Sequence, residues 1–544
     1  MVVLETSLRS IQQQTKLSEK QLQDILTQIG FDIDHLDGDE LKIDITPERL
    51  DALSTQGIIR ILRSFEKKKN PVYVSNPSLY ELHIDSSVKA VRPQTVCAVV
   101  TNLNFTDQTI KDIIWVQEKL HATIGKERKR AAIGVYPLEK ISWPITFCAK
   151  KPNDIAFEPL EGTKQMSGLQ ILQEHPAGKK YAHLLEGAKV FPLFTDADGQ
   201  ILSMPPIINS HTVGKVDQTT TGIFIEVSGF DIPVLEHILV LLSCLFIDMG
   251  GKVHQVTVID GKQKRATPKL EEQSYAVSVQ KINAHLGTSL TAKQAANLLE
   301  KMGHRVVIDG EMLQIHVLPY RYDIWHAVDL IDDVLRALGA NSIELQYSHS
   351  YTKGSMTKQN HFIEQITRHL IGFGLQEVKT LGVTDKDDQF TKMNLPVVAS
   401  EFIALGSTAE RNINMLRTWL LPELLKTLHY NRSVVYPQMI FEVGDVIIPA
   451  KTDVCSKNQL HVAIALCADT APYTQIRQLI DSIFATFGYD VQIDSFEHKS
   501  FIKGRCARVM YKGKQLAFFG EIHPDVLENW GLSMPVCACE IICD

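Results

Sequence analysis

At 544 residues the chain is too long for a single hydrophobic core, and about three to five domains are expected. Its 44% hydrophobic and 22% charged content is that of a soluble globular protein, and no apolar run is long enough to span a membrane as a helix. A net charge of −7 argues against a generally sticky nucleic-acid binder, so any RNA contact must come from local patches. Nine cysteines, an odd count without paired C-x-x-C spacing, fit reduced thiols in a cytoplasmic compartment. The opening MVVLETSLRS has neither the apolar core of a signal peptide nor the basic character of a transit peptide.

Residues 1–70 form a first unit. Ser18 with Gln21 makes a capping box, Gly30 closes that helix, Asp37-Gly38 reads as a hairpin turn, and Thr46-Pro47 opens another helix. The run KKKNP at 67–71 is a linker. Residues 80–262 read as a mixed α/β domain, with a strand near 95–102 and a helix near 108–120. The basic cluster Lys126, Arg128, Lys129 and Arg130 follows, either a solvated face or an RNA contact. Asp196-Ala-Asp198-Gly199 is a hairpin turn leading into ILSMPPIINS (201–210), where two prolines break any ladder and Asn209 and Ser210 end an apolar run. Glu226 then interrupts the apolar strand IFIEVSG, either on an open face or lining a pocket. Residues 238–247 are too short to cross a membrane and read as a buried helix.

Thr267-Pro268 opens a second unit, 268–345, which repeats the first. Residues 17–30 parallel 290–303, and DGDELKIDITPERLD (37–51) parallels DGEMLQIHVLPYRYD (309–323), so that Pro47, Arg49 and Asp51 recur as Pro319, Arg321 and Asp323. Asp323 is placed to cap a helix that Gly339 terminates. On it Asp329, Asp332 and Asp333 stand at i, i+3 and i+4, and are expected to share the polar face. Two unpaired charges about 4 Å apart repel by roughly 4 kcal/mol at an effective dielectric near 20. The trio is therefore either a solvated acidic helix start relieved by Arg336, or a ligand set for a hard divalent cation. Gly57, Arg60 and Ile61 stand at the corresponding places of the first copy, so the shared fold does not require the acids.

A polar linker at 345–357 precedes the last domain, 358–544. Helices carrying Phe362, Ile366 and Leu370 and then Ile476, Leu479, Ile483 and Phe487 alternate with strand pairs, which suggests a largely antiparallel sheet with helices on one face. Cys537 and Cys539, two apart, would share a strand face. The fold class expected is α+β and multidomain.

Long motifs in this order resemble one family: PERLDALSTQGIIRIL near the start, LSMPPIIN, PxRxDIxHxxDLxxDV from 319 to 334, MLRTWLLPELLKTLHYNR, FEVGDV and FGEIHPDVLENWGL. The resemblance, nearly end to end, is to the archaeal/eukaryotic-type β subunit of phenylalanyl-tRNA synthetase. It implies a Mg²⁺ site on Asp323, Asp329, Asp332 and Asp333, although the family often has Glu at the place of Asp332. It also implies that 80–262 is an editing domain that hydrolyses tyrosine wrongly attached to tRNA(Phe), with its pocket on Leu202, Asn209, Ser210, Glu226 and Ser228. The last domain would be a class II synthetase core without adenylation chemistry, since neither F-R-x-E nor a glycine-rich motif with a closing arginine is found and Glu442 has no arginine two residues before it. ATP and phenylalanine would be bound mainly by an α subunit, in a tetramer of two α and two β chains. The rival expectations are a non-catalytic RNA-binding or scaffold protein, and a magnesium-dependent hydrolase, for which no nucleophile lies beside the aspartates.

Overall fold

The computed structural model describes residues 2–347, 350–406 and 412–543. The chain divides into two compact units, Met1–Tyr347 and Ser348–Asp544, at a boundary inside the expected linker.

In the first unit the duplication is complete in three dimensions. The strand Val2–Ser7 leads to helices Leu8–Thr15 and Glu19–Gln28, the hairpin Asp32–Asp37 and Glu40–Ile45, and the helix Thr55–Phe65. The second copy runs Gln273–Ser278, Val279–Leu286, Ala292–Lys301, Arg305–Asp309, Met312–Val317 and Ala327–Leu338. In both, the last strand of the hairpin is central to a three-stranded antiparallel sheet. The sequence match missed the opening strand and helix of each copy, which share topology without sharing residues. Both second helices start with a capping box, Ser18–Gln21 and Thr291–Gln294. The copies bind each other: Gln28 Nε2 donates to the carbonyls of Arg336 and Ala337, Arg336 donates to Ile29 O at 2.8 Å, and the Arg60 guanidinium lies 3.8 Å from the Tyr320 ring centroid.

The recurring Arg-x-Asp is a buried ion pair in each copy. Arg49 donates to Asp51 at 2.9 and 3.0 Å beneath the Phe31 ring, and Arg321 donates to Asp323 at 2.8 and 2.7 Å. Their surroundings differ. Where the first copy has Phe31 and Ile61, the second has His304 and Asp333, and Asp333 accepts from Arg321 at 2.8 and 3.0 Å and from His304 Nε2 at 2.6 Å. Burial alone would raise the Asp333 carboxyl, and the Arg321 guanidinium overrides that and holds it well below the usual carboxylate range.

Between the copies lies an eleven-stranded mixed sheet, wider than the expected 80–262 because Ser75–Asn76 and Gln263–Thr267 also pair with Lys252–Asp260. The strands Gln94–Thr101, Ile223–Gly229 and Ala131–Pro137 are adjacent and antiparallel. The helix Ile232–Asp248 is apolar on nearly every side and packs against Ile223, Ile225 and Val227 on one face of this sheet. Because side chains alternate along a strand, Phe224, Glu226 and Ser228 face the other way.

In the second unit a seven-stranded sheet is antiparallel except where Gln376–Glu377 joins Gln438–Pro449. Helices cover both faces, not one as the sequence suggested. Lys358–Gly372 and Tyr473–Thr486 pack on the face carrying Val462, Phe519, Cys537 and Cys539, and Leu421–Tyr430 covers Ala463, Ala465 and Ala538 on the other. Small residues on that second face let the helix approach closely, a signal that strand periodicity alone does not carry.

Replacing Arg321 with Met strands the buried Asp333 and the partly buried Asp323 and should cost about 3–5 kcal/mol in unfolding experiments. The paired change His304→Phe with Asp333→Ile rebuilds the first copy's apolar surroundings and should stay within about 1.5 kcal/mol of the native chain. Equal losses for both variants would show that the copies are not interchangeable at this point.

Candidate functional site

A cavity of about 750 Å³ opens beside the Glu226 strand. Its wall includes Ser203, Asn209, His211 and Glu226, with Ile113, Ile133, Val135, Pro206 and Ile207 supplying apolar surface. Glu118, Arg128 and His175 also line it.

Glu226 is 2% exposed, between Gly134 and Cys97 on the neighbouring strands. The Tyr136 hydroxyl donates to Ser203 Oγ at 2.7 Å and lies 3.3 Å from Glu226 Oε1. Oε2 is buried and has no hydrogen-bond partner among the described residues. Burial pushes the Glu226 carboxyl up to about 8, so it is largely protonated at neutral pH. The nearest opposing charge, Arg92, is turned aside: its Nε donates to Ser228 Oγ at 3.1 Å and its Nη2 to Ser228 O at 2.6 Å. Gly134 is required by close approach, since a methyl there would be driven into the Tyr136 hydroxyl and come within 2.5 Å of Glu226 Oε1.

Of the five pocket residues named from sequence, Asn209 and Glu226 line the cavity. Leu202 instead packs with Phe147, Phe194 and Val213, and its neighbour Ser203 reaches the site, since one residue along a strand turns to the opposite face. Ser210 donates its backbone N–H to Leu202 O, and Ser228 stands behind the wall on Arg92. Sequence reasoning missed Tyr136, Ser203, Arg92 and His211. The polar Ser203 in an apolar run and His211, which adjoins Ser210, could have drawn notice; Tyr136 and Arg92 come from distant segments.

Three of the cavity's other titratable groups, Glu118, His121 and Arg128, are engaged with one another. His121 Nε2 accepts the Ile133 N–H at 2.8 Å, which places the ring hydrogen on Nδ1, 3.3 Å from Glu118 Oε1. Arg128 donates to Glu118 at 2.7 Å and to Ile207 O at 3.1 Å, and stacks 4.2 Å from the Tyr181 ring centroid. The hydrogen bond from His121 and the charge of Arg128 hold Glu118 down to about 2. His211 Nδ1 is buried without a partner among the described residues.

The four aspartates do not converge. Asp323 and Asp333 are both bound to Arg321. Asp329 Oδ2 accepts the N–H groups of Trp325 and His326 at 2.8 Å and so caps the helix, which starts at Ala327 and not at Asp323. Asp332 is exposed and accepts from Arg336 at 2.6 Å. The expected shared face therefore fails for Asp333, which points inward because His304 and Arg321 await it there. Among the described residues no three His, Cys, Asp or Glu side chains are grouped to hold a metal. As a self-contained four-carboxylate site the set does not fit a resident ion.

In the second unit Glu442 is buried, with Arg417 donating to it at 2.7 Å and the Thr380 hydroxyl at 2.6 Å. Arg417 comes from the MLRTW segment, which explains how the carboxylate is satisfied without an arginine on its own strand. Both carboxylate oxygens are occupied within the protein.

Residues 275–339 match the family described as tRNA synthetase B5 domain, and residues 343–543 that described as phenylalanyl tRNA synthetase beta chain CLM domain, which puts the chain in the tRNA-synthetase class. A phenylalanine–tRNA ligase beta subunit of Archaeoglobus fulgidus is 35% identical over 95% of this chain and 93% of its own length, and that of Thermococcus sibiricus 36% identical over 91% and 88%. The crystal structure of an N-terminal fragment of the phenylalanyl-tRNA synthetase beta subunit from Pyrococcus horikoshii superposes with a TM-score of 0.59 at 29% identity, covering 62% of this chain and 99% of the fragment. The chain belongs to the family of phenylalanine–tRNA ligase β subunits.

The native state holds a proton on Glu226 that the unfolded chain, with its ordinary value of 4.5, releases well below pH 8. The resulting stability is fully present below about pH 4.5 and is lost as pH rises through 8, by about 1.4 kcal/mol per pH unit over that interval. Glu226→Gln keeps the neutral form throughout, so its melting temperature should match the native chain near pH 5 and exceed it at pH 9. Parallel melting curves from pH 5 to 9 would mean that Glu226 is ionised in the native state.

Proposed function

We propose that this chain works as the β subunit of an assembly that joins phenylalanine to tRNA(Phe) with ATP, and that its cavity removes tyrosine attached by mistake. The observation that carries the second part is a buried, largely neutral carboxyl with one unpartnered oxygen in the wall of a cavity of about 750 Å³. A synthetic site shaped for phenylalanine rejects an added hydroxyl by only about 100-fold, whereas a second site built to hydrogen-bond that hydroxyl discriminates far more. Glu226 Oε2 is such a group. Tyr136, itself held by Ser203, lies against Oε1, so the phenol of a tyrosyl ester would meet a preset acceptor or donor. Asn209, whose Nδ2 reaches toward Val135 O at 3.5 Å, is free to turn to the ester end.

Adenylation belongs to an α subunit in this reading. The buried Arg417–Glu442 pair occupies the strand where an ATP-binding carboxylate was sought, which supports a core kept for assembly. The buried thiols Cys97, Cys244, Cys467, Cys506, Cys537 and Cys539, none of them in a disulfide, fit a reducing cytoplasm.

For Mg²⁺ the reading narrows to Asp329 and Asp332, which keep free carboxylate oxygens at the start of the acidic helix. We propose that they hold a partly hydrated ion against the α subunit, which supplies the remaining ligands. Asp323 and Asp333 serve the fold instead.

Glu226→Ala should slow release of tyrosine from tyrosyl-tRNA(Phe) by roughly 10- to 150-fold, the loss of one hydrogen bond to a polar carboxyl, with phenylalanylation unchanged. Clearance of tyrosyl-tRNA at the native rate would sink the pocket assignment. For the ion, Mg²⁺ should raise the melting temperature of the native α–β assembly and not that of the Asp329→Asn, Asp332→Asn variant. Identical Mg²⁺ responses in the two assemblies would remove the metal reading.

A further inference from the structure

The basic cluster at 126–130, left between a solvated face and an RNA contact by the sequence, sits at the mouth of the Glu226 cavity. Gly125 closes the helix Asp107–Ala122 and its loop, and the next three residues, Lys126, Glu127 and Arg128, have φ of 48°, 52° and 65°. Three consecutive non-glycine residues in the left-handed region cost roughly 1–2 kcal/mol each. The turn is held by Lys129 N–H donating to Lys126 O at 3.0 Å and Arg130 N–H to Gly125 O at 2.8 Å. Strain of this kind is retained where it aims side chains.

What it aims is divided. Arg128 turns inward, lines the cavity and spends its charge on Glu118, while Arg130 is paired with Asp231 at 2.8 Å. Lys126 and Lys129 are exposed and form no ion pair among the described residues. The Tyr181 ring beneath Arg128 also receives Lys180 Nζ at 5.0 Å from its centroid, on the helix Pro176–Tyr181, whose first residues Pro176 and Ala177 line the same mouth. Lys179 is likewise exposed without a counter-charge. One ring thus joins two segments that bring to one edge of the cavity Lys126, Lys129 and Lys179, none of them in an ion pair among the described residues, together with the exposed Lys180 seated on Tyr181, opposed by the exposed Glu127 and Glu161.

We infer that this edge, formed by residues 125–130 and 176–181, is where the phosphates of a single-stranded RNA end lie while its terminal residue occupies the cavity. The inference rests on the hydrolytic reading of that cavity. The lysines act through charge and leave the ester chemistry to the wall; Arg128, already neutralised by Glu118, sets the loop. On a chain of net charge −7, a local cluster of four exposed lysines is an electrostatic footprint that suits a phosphodiester backbone.

Two measurements on the α–β assembly test it. In tyrosyl-tRNA hydrolysis, the quadruple change Lys126→Ala, Lys129→Ala, Lys179→Ala and Lys180→Ala should raise KM about tenfold near 0.1 M salt. It should also flatten the fall of log(kcat/KM) with log salt by about 1 to 3, at about 0.7 per single-strand phosphate lost. Unchanged KM and slope, with hydrolysis intact, overturn the inference and leave the cavity's role standing. Independently of hydrolysis, tRNA carrying a photoreactive nucleotide in its unpaired 3′ end should crosslink to peptides containing 125–130 or 176–181. Crosslinks at those segments without tyrosine release would support this edge and overturn the hydrolytic reading; crosslinks confined to other surfaces overturn the edge itself.

Discussion

A carboxyl group without a charge partner, shut inside a sheet, is the constraint on which the first unit's functional architecture depends. Burial pushes the Glu226 carboxyl well above its ordinary value because water is excluded, and the exclusion is built from both sides of its strand. On one face the helix Ile232–Asp248 buries Ile225 and Val227. On the other, Gly134 leaves room for the Tyr136 ring to pass, so that its hydroxyl can reach both Ser203 and the carboxyl. Arg92, which could have ionised Glu226, is committed to Ser228. The result is a cavity wall in which Glu226 Oε2 has no partner among the described residues, and such an atom discriminates between ligands by what it costs when nothing pairs with it.

The duplicated unit shows how one backbone accepts two solutions to the same packing problem. Each copy buries an Arg-x-Asp pair. The first surrounds it with Phe31 and Ile61; the second adds His304 and Asp333 and draws the arginine to two carboxylates. The acids that look like a ligand set along the helix are thereby distributed: one inward, one on the turn before the helix, one capping, one in solvent with Arg336. Spacing on a helix fixes which Cα positions are neighbours, while the direction of each side chain is decided by what the rest of the fold offers it.

Much of the layout was legible because it is local. The Ser18–Gln21 capping box, the Asp196–Gly199 turn and the buried apolar helix all announce themselves within a few residues, and each is found where the pattern placed it. Glu226 stood out because a carboxylate in an apolar strand must have a reason. Its partners did not, since Tyr136 lies 90 residues away and Ser203 is 67 residues from Tyr136, joined only by sheet pairing. Leu202 packs away from the cavity and its neighbour Ser203 toward Tyr136, since one step along a strand reverses the face. The second helix layer on the sheet of the last unit escaped for the same reason: small alanines on a strand do not say that a helix rests on them.

If the cavity recognises a phenol through Glu226, affinity must depend on that hydroxyl before any chemistry occurs. The direct measurement is calorimetric binding of two non-hydrolysable 3′-amides of adenosine, tyrosyl and phenylalanyl, to the α–β assembly with its synthetic site saturated by phenylalanine and ATP. The account predicts that the tyrosyl amide binds at least about tenfold more tightly, the worth of one buried hydrogen bond, and that Glu226→Ala removes the difference. Equal affinities for the two amides in the native protein would contradict it.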